Sequence, residues 1–233
     1  MNKSTLVMVI TFGMLSQLFS SEITGKIVFE GKTPKMKKLR IDADPICVAN
    51  NEVPPRSEWL IVDENGGIKN MIVSVIEGVK GSYDPPETPA ILDQKGCVYQ
   101  PHVLAVMVGQ EVEILNNDGL MHNIHALPKK NKEFNKAMPK FKKKVLTKFD
   151  KVEKPFKIKC DVHPWMGAYI GVYNHPYFAV TGEDGTYAIS GLDPGEYVIE
   201  AWHEKLGTQT ATITVGDGMT TADFTFKKPS RKK

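Results

Sequence analysis

Short runs of alternating apolar and polar residues, broken every few positions by turn residues, constrain this chain more than any other feature. Ile23 to Phe29, Met71 to Ile76, Val103 to Met107, Glu111 to Leu115, Phe156 to Ile158 and Ala168 to Tyr173 share that rhythm. Gly, Pro, Asn and Asp separate them, as in Glu64-Asn65-Gly66-Gly67 and Asn116-Asn117-Asp118-Gly119. Alternation suits a strand with one face on a core, and Asn/Asp/Gly clusters suit tight turns. Beyond the N-terminal apolar stretch, no long segment repeats apolar residues at i, i+3, i+4 and i+7. The pattern predicts an all-β fold, a sandwich or barrel.

The chain's 233 residues are enough for one large domain or two small ones. Its start reads as an export signal over residues 1–21. Lys3 gives a small positive region, Thr5 to Phe19 is apolar or small, and Ser20-Ser21 precede a polar start at Glu22. That run is short for a membrane span and ends in residues suited to cleavage. The mature protein is therefore expected in the periplasm or outside the cell, with no stable membrane insertion. Lys and Arg total 30 against 27 Asp and Glu, too even a balance to imply a nucleic acid partner. The charge is unevenly spread, however. Thirteen Lys stand between Lys129 and Lys159, against Glu133, Asp150 and Glu153. This run is either solvated loop surface or a basic docking face for an acidic partner.

The rhythm changes after Asn174-His175-Pro176. Asp184-Gly185 and Asp193-Pro194-Gly195 punctuate the next stretch; Tyr187 and Ile189 share one strand face, and Tyr197 and Ile199 another. Thr210 to Val215 and Ala222 to Phe226 add two further strands. The run from Asp184 to Ile199, of the form DGxYxIxGLxPGxYxI, resembles the carboxypeptidase regulatory-like domain, a small transthyretin-like β-sandwich, over residues 176–227. The resemblance implies a structural or adhesive module with no catalytic residues, followed by a basic tail at 228–233. Gly25 to Pro34 reads equally as the start of a separate β-module or as a strand added to the central domain. Residues 35–57 read as a Pro-containing loop.

Cys160-Asp161-Val162-His163-Pro164-Trp165-Met166 puts a thiolate, an imidazole and a thioether within seven residues. Upstream, Met121-His122-Asn123-Ile124-His125 follows an Asn/Asp-rich turn. His122 and His125 are three apart, so on a strand they point to opposite faces, and His122 is the one expected at the site. Two His, one Cys and a weak axial Met form the donor set of blue-copper electron-transfer centres. Cys160 then has a use of its own, and Cys47 and Cys97 are left as the natural disulfide pair in an oxidising compartment. His102, in a polar turn, is a surface or hydrogen-bonding residue, or an alternative imidazole ligand. No GxSxG, HExxH, P-loop or dinucleotide fingerprint gives hydrolytic or nucleotide chemistry a foothold.

The Cys-x2-His-x2-Met run with the upstream His-Asn resembles the cupredoxins from about residue 100 to 173. The ligand loop has two residues between His and Met, as in the amicyanin type; the plastocyanin and pseudoazurin types have four. The resemblance implies a Greek-key cupredoxin sandwich over residues 22–175 with an N-terminal extension, followed by the smaller sandwich. It implies one copper ion on His122, Cys160 and His163, with Met166 axial. Asn123 would brace the ligand loop, and an apolar surround of His163 would contact the partner. The Lys-rich connection and the extra residues before the core depart from the family, so the partner does not carry over from it. The donor set itself suits a carrier of single electrons and not an enzyme, with a redox protein such as a cytochrome or an oxidase as the expected partner. The alternative is a module that binds or tethers copper, or adheres through the C-terminal sandwich, without an electron-transfer role.

Overall fold

The computed structural model describes residues 21–228. The expected leader lies outside them except for Ser21, and so does the tail beyond Lys228. Seventeen strands occur among the described residues: β1 (Ser21–Glu30), β2 (Ile72–Glu77), β3 (Ala90–Lys95), β4 (Val98–Gln100), β5 (Val103–Met107), β6 (Val112–Asn116), β7 (His122–Leu127), β8 (Phe134–Met138), β9 (Lys144–Thr147), β10 (Glu153–Lys159), β11 (Gly167–Tyr173), β12 (Phe178–Val180), β13 (Thr186–Leu192), β14 (Gly195–His203), β15 (Gly207–Val215), β16 (Met219–Thr221) and β17 (Phe224–Lys227). One short helix, α1 (Pro45–Ala49), follows a 3-10 turn at Ile41–Ala43. The fold is all-β and made of sandwiches, as the alternating runs predict.

The first sandwich faces the sheet β5-β11-β10-β7-β8 against β4-β3-β6-β9. Leu92, Val106, Ile114, Ile124, Phe156, Ile158 and Ile170 fill it. The second faces a sheet in which β1 pairs with β13, β16 and β17 against β12-β2-β14-β15, over Ile23, Ile27, Val73, Ile189, Ile199 and Phe226. Ile23 lies opposite Ile189, Ile27 opposite Phe224, and Val73 opposite Ala201.

The expected boundary at residue 175 therefore needs correction. β2, placed by sequence in the first domain, and β1, which the sequence leaves open between a separate module and the central domain, both belong to the second sandwich, and strands β3 to β11 are inserted between β2 and β12. The reason is burial. Ile72, Val73, Ser74 and Val75 are all buried, as suits a central strand covered on both faces. The turn at Asp184-Gly185 packs against these early strands. Gly185 has φ +78°, and a Cβ there would lie 2.5 Å from the Ile27 carbonyl oxygen, so only glycine fits. The 31–71 connection is pinned to the first sandwich by a Cys47–Cys97 disulfide, while Lys154–Glu200 and Tyr169–Trp202 contacts join the two sandwiches.

The Lys-rich stretch is partly strand. β8 and β9 are the outer strands of the two sheets of the first sandwich, and outward lysines are a common means of keeping such edges from pairing with other chains.

Candidate metal centre

Strand pairing brings the sequence motifs together at one end of the first sandwich. β7 begins at His122, β10 ends just before Cys160, and the seven-residue loop between β10 and β11 carries His163 and Met166. The loop closes on itself, with the Met166 amide donating to the His163 carbonyl at 2.9 Å and the Cys160 amide donating to the Met166 carbonyl at 3.4 Å. Side-chain ligand atoms of His122, Cys160 and His163 all lie within 4.8 Å of one another. All three residues are buried, His122 at 0%, Cys160 at 1% and His163 at 2% exposure. Met166 is buried in the adjoining core.

The two imidazoles meet through Nδ1, 2.9 Å apart. Their outer nitrogens face carboxylates: His122 Nε2 lies 2.8 Å from Asp118 Oδ2, and His163 Nε2 lies 3.2 Å from Asp44 Oδ2. A carboxylate only accepts, so each Nε2 carries its hydrogen there. The Nδ1–Nδ1 contact then needs one more proton. Burial pushes the His122 pKa down, but hydrogen bonds to Asp118 and Cys160 outweigh it and raise the value. Burial and the nearby His122 hold His163 low against the pull of Asp44. A cation accepting both Nδ1 lone pairs would fit where the two rings meet.

Cys160 completes the set. Burial opposes its ionisation, yet hydrogen bonds from His122 and from the amides of Asn123, His163 and Val162 lower its pKa below that of an ordinary thiol. Two imidazole nitrogens and a readily ionised sulfur form a mixed donor set of the kind copper takes in its one-electron sites, and the residues present fit that ion.

Asn123 ties this arrangement to the fold. Its Oδ1 accepts the Asp161 amide at 2.7 Å and the Val162 amide at 3.3 Å, and lies 3.2 Å from Cys160 Sγ. Its Nδ2 donates to Asn135 at 2.7 Å. His125, on the opposite face of β7, sits between Asp161 and Glu133. The alternative ligand His102 is committed elsewhere, with Nδ1 3.1 Å from the Gly167 carbonyl and Nε2 2.6 Å from Glu204. The expected apolar contact patch at His163 also needs correction, because Asp44 and the start of α1 cover the imidazole edge.

Asp44 and Asp118 were not legible as members of the site. Asp44 reads as a helix cap and Asp118 as a turn residue, and each has that local role as well. The only signals are an Asp-Pro helix start three residues before a cysteine and an Asp four residues before His122. A cavity of about 890 Å³ lies beside Met36, Arg56 and Leu60; His102 lines it, but His122, Cys160, His163 and Met166 do not.

No protein-family model matches this chain. No curated protein matches it either. Among solved structures the chain is similar to a Cu-containing nitrite reductase from Thermus scotoductus SA-01, at 22% identity and TM-score 0.35, covering 44% of this chain and 25% of that one. It is similar to a methionine-to-alanine mutant of amicyanin in the Cu(I) form, at 17% identity and TM-score 0.34, covering 43% of this chain and 98% of that one. It is also similar to a purple cupredoxin from Nitrosopumilus maritimus, at 24% identity and TM-score 0.31, covering 36% of this chain and 99% of that one. This chain thus spans about a quarter of the nitrite reductase's length.

Proposed function

We propose that this chain is an exported blue-copper protein that carries single electrons between redox partners, with His122, Cys160 and His163 as ligands and Met166 as a weak axial one. The observation that carries the reading is the buried convergence of two Nδ1 atoms and one sulfur, with both outer imidazole nitrogens held by carboxylates. Bound copper would supply a one-electron Cu(I)/Cu(II) couple. The chain's own residues keep the donors in place through either oxidation state: Asn123 braces the ligand loop, and burial excludes water. Four protein donors leave no open position for a substrate, which argues for a carrier and against an enzyme.

The partner is a redox protein with an acidic face, such as a cytochrome or an oxidase. The turn from Lys140 to Lys143 stands at the metal end, since Met138 pairs with His122 and the Asn116 amide donates to the Lys143 carbonyl at 3.0 Å. Such a basic arc speeds encounter at low salt. Trp165, half-buried with its ring 5.0 Å from that of His163, is the aromatic contact between ligand and surface. The second sandwich serves as a carboxypeptidase regulatory-like structural module. The disulfide suits an oxidising compartment, in keeping with export.

The covered His163 edge favours a second reading, a protein that tethers copper. Repeated reduction and reoxidation without metal loss would count against copper delivery. Replacing Cys160 with Ser should abolish the thiolate absorption near about 600 nm that this ligand set implies; colour that survives the change refutes the ligand assignment.

A further inference from the structure

The two carboxylates behind the imidazoles are linked to each other through the disulfide. Asp44 caps α1, with Oδ1 accepting the Ile46 amide at 2.8 Å and the Cys47 amide at 3.4 Å, while Oδ2 faces His163. Cys47 is bonded to Cys97. Beyond that bond, Asp118 accepts the amides of Gly96 at 2.5 Å and Cys97 at 2.8 Å, and Oδ2 also faces His122. The sulfurs are close to the ligands themselves. Cys47 groups with Asp44 and His163, and Cys97 with Asp118 and His122, each set within 4.8 Å. Asn50 and Asn51 reinforce the span, donating to the carbonyls of Asp118 at 3.2 Å and Gly96 at 3.1 Å. A disulfide that served only to shorten a loop would need neither carboxylate turned towards an imidazole.

We propose that Asp44 and Asp118 are positioning residues coupled through the Cys47–Cys97 disulfide, and that together they hold both Nδ1 atoms inward and seal the His163 edge against outside ligands. The inference rests on the copper reading above. It also makes the centre sensitive to thiol chemistry. A dithiol that passes two electrons and two protons to the S–S bond leaves two cysteine thiols and closes to its own disulfide. α1 and Asp44 are then held by non-covalent contacts alone, and the imidazole edge opens.

The test compares the full chain, Asp44→Asn and Cys47→Ala/Cys97→Ala by copper competition against a chromophoric chelator. Visible and EPR spectra are recorded before and after adding imidazole. Asp44→Asn keeps a helix-capping side chain and the disulfide, so it decides the matter even if the cysteine variant does not fold. Each variant should lose about ten- to a hundredfold in copper affinity and admit imidazole, which leaves the wild-type spectrum unchanged. The combined variant should be little weaker than either alone, as residues acting through one brace are not additive. Asp44→Asn that matches wild type in affinity and stays closed to imidazole overturns the inference while leaving the copper reading intact. A wild-type chain without a thiolate band overturns both.

Discussion

Acid should loosen the second sandwich through one histidine at the end of β14. His203 is 3% exposed, and its Nδ1 accepts the amides of Lys205 at 3.1 Å and Leu206 at 3.0 Å. A nitrogen that accepts twice has no room for a proton. Burial, opposed by nearby Glu204, pushes the His203 pKa down to about 4 from 6.5. Between those values the unfolded chain takes up a proton that the folded chain refuses. Stability therefore falls as pH drops from about 6.5 towards about 4, and rises with pH across the same window. At 1.36 kcal/mol per unit, the loss is about 3 kcal/mol. His203→Asn offers an oxygen to the same two amides and does not titrate. Amide exchange of β14 and β15, followed from pH 7 to pH 4, isolates this sandwich from the other. Wild type should lose about 3 kcal/mol more protection than His203→Asn. Parallel curves for the two proteins would refute the assignment of a neutral, accepting His203.

Asn123→Ala removes the acceptor for two part-buried amides of the ligand loop and should cost about 1–2 kcal/mol in chemical denaturation. An unchanged midpoint would mean the loop is held by other contacts. Deleting residues 176–233 should yield aggregated protein, because β1 and β2 lose their hydrogen-bonding neighbours and expose Ile23, Ile27 and Val73. A monomeric, cooperatively unfolding truncation, judged by gel filtration and melting, would contradict the pairing of these strands with the second sandwich.

Much of the strand content was legible because alternation is a local signal. The runs at 103–107, 168–173 and 187–199 coincide with β5, β11 and, in the two facing sheets of the second sandwich, β13 and β14. β8 and β9 carry no strand signal in the Lys-rich stretch, since edge strands studded with lysine lose the apolar alternation that marks a strand. The partners of β1 and β2 were not legible for a different reason. Alternation identifies which face is buried but not which sheet receives it, and that choice depends on register with strands more than a hundred residues away. The cysteine pairing and the three-residue donor cluster followed from residue chemistry and spacing. Asp44 and Asp118 did not, because a cap and a turn already account for each residue locally, and their second contacts exist only once the sandwich has formed.

The central claim is best tested by adding Cu(II) to the protein from Glu22 onward and recording its visible and EPR spectra. Copper on His122, Cys160 and His163 predicts intense absorption near about 600 nm with a narrow copper hyperfine splitting. A pale protein with an ordinary tetragonal copper spectrum would mean that Cys160 is not a ligand, and would contradict the account.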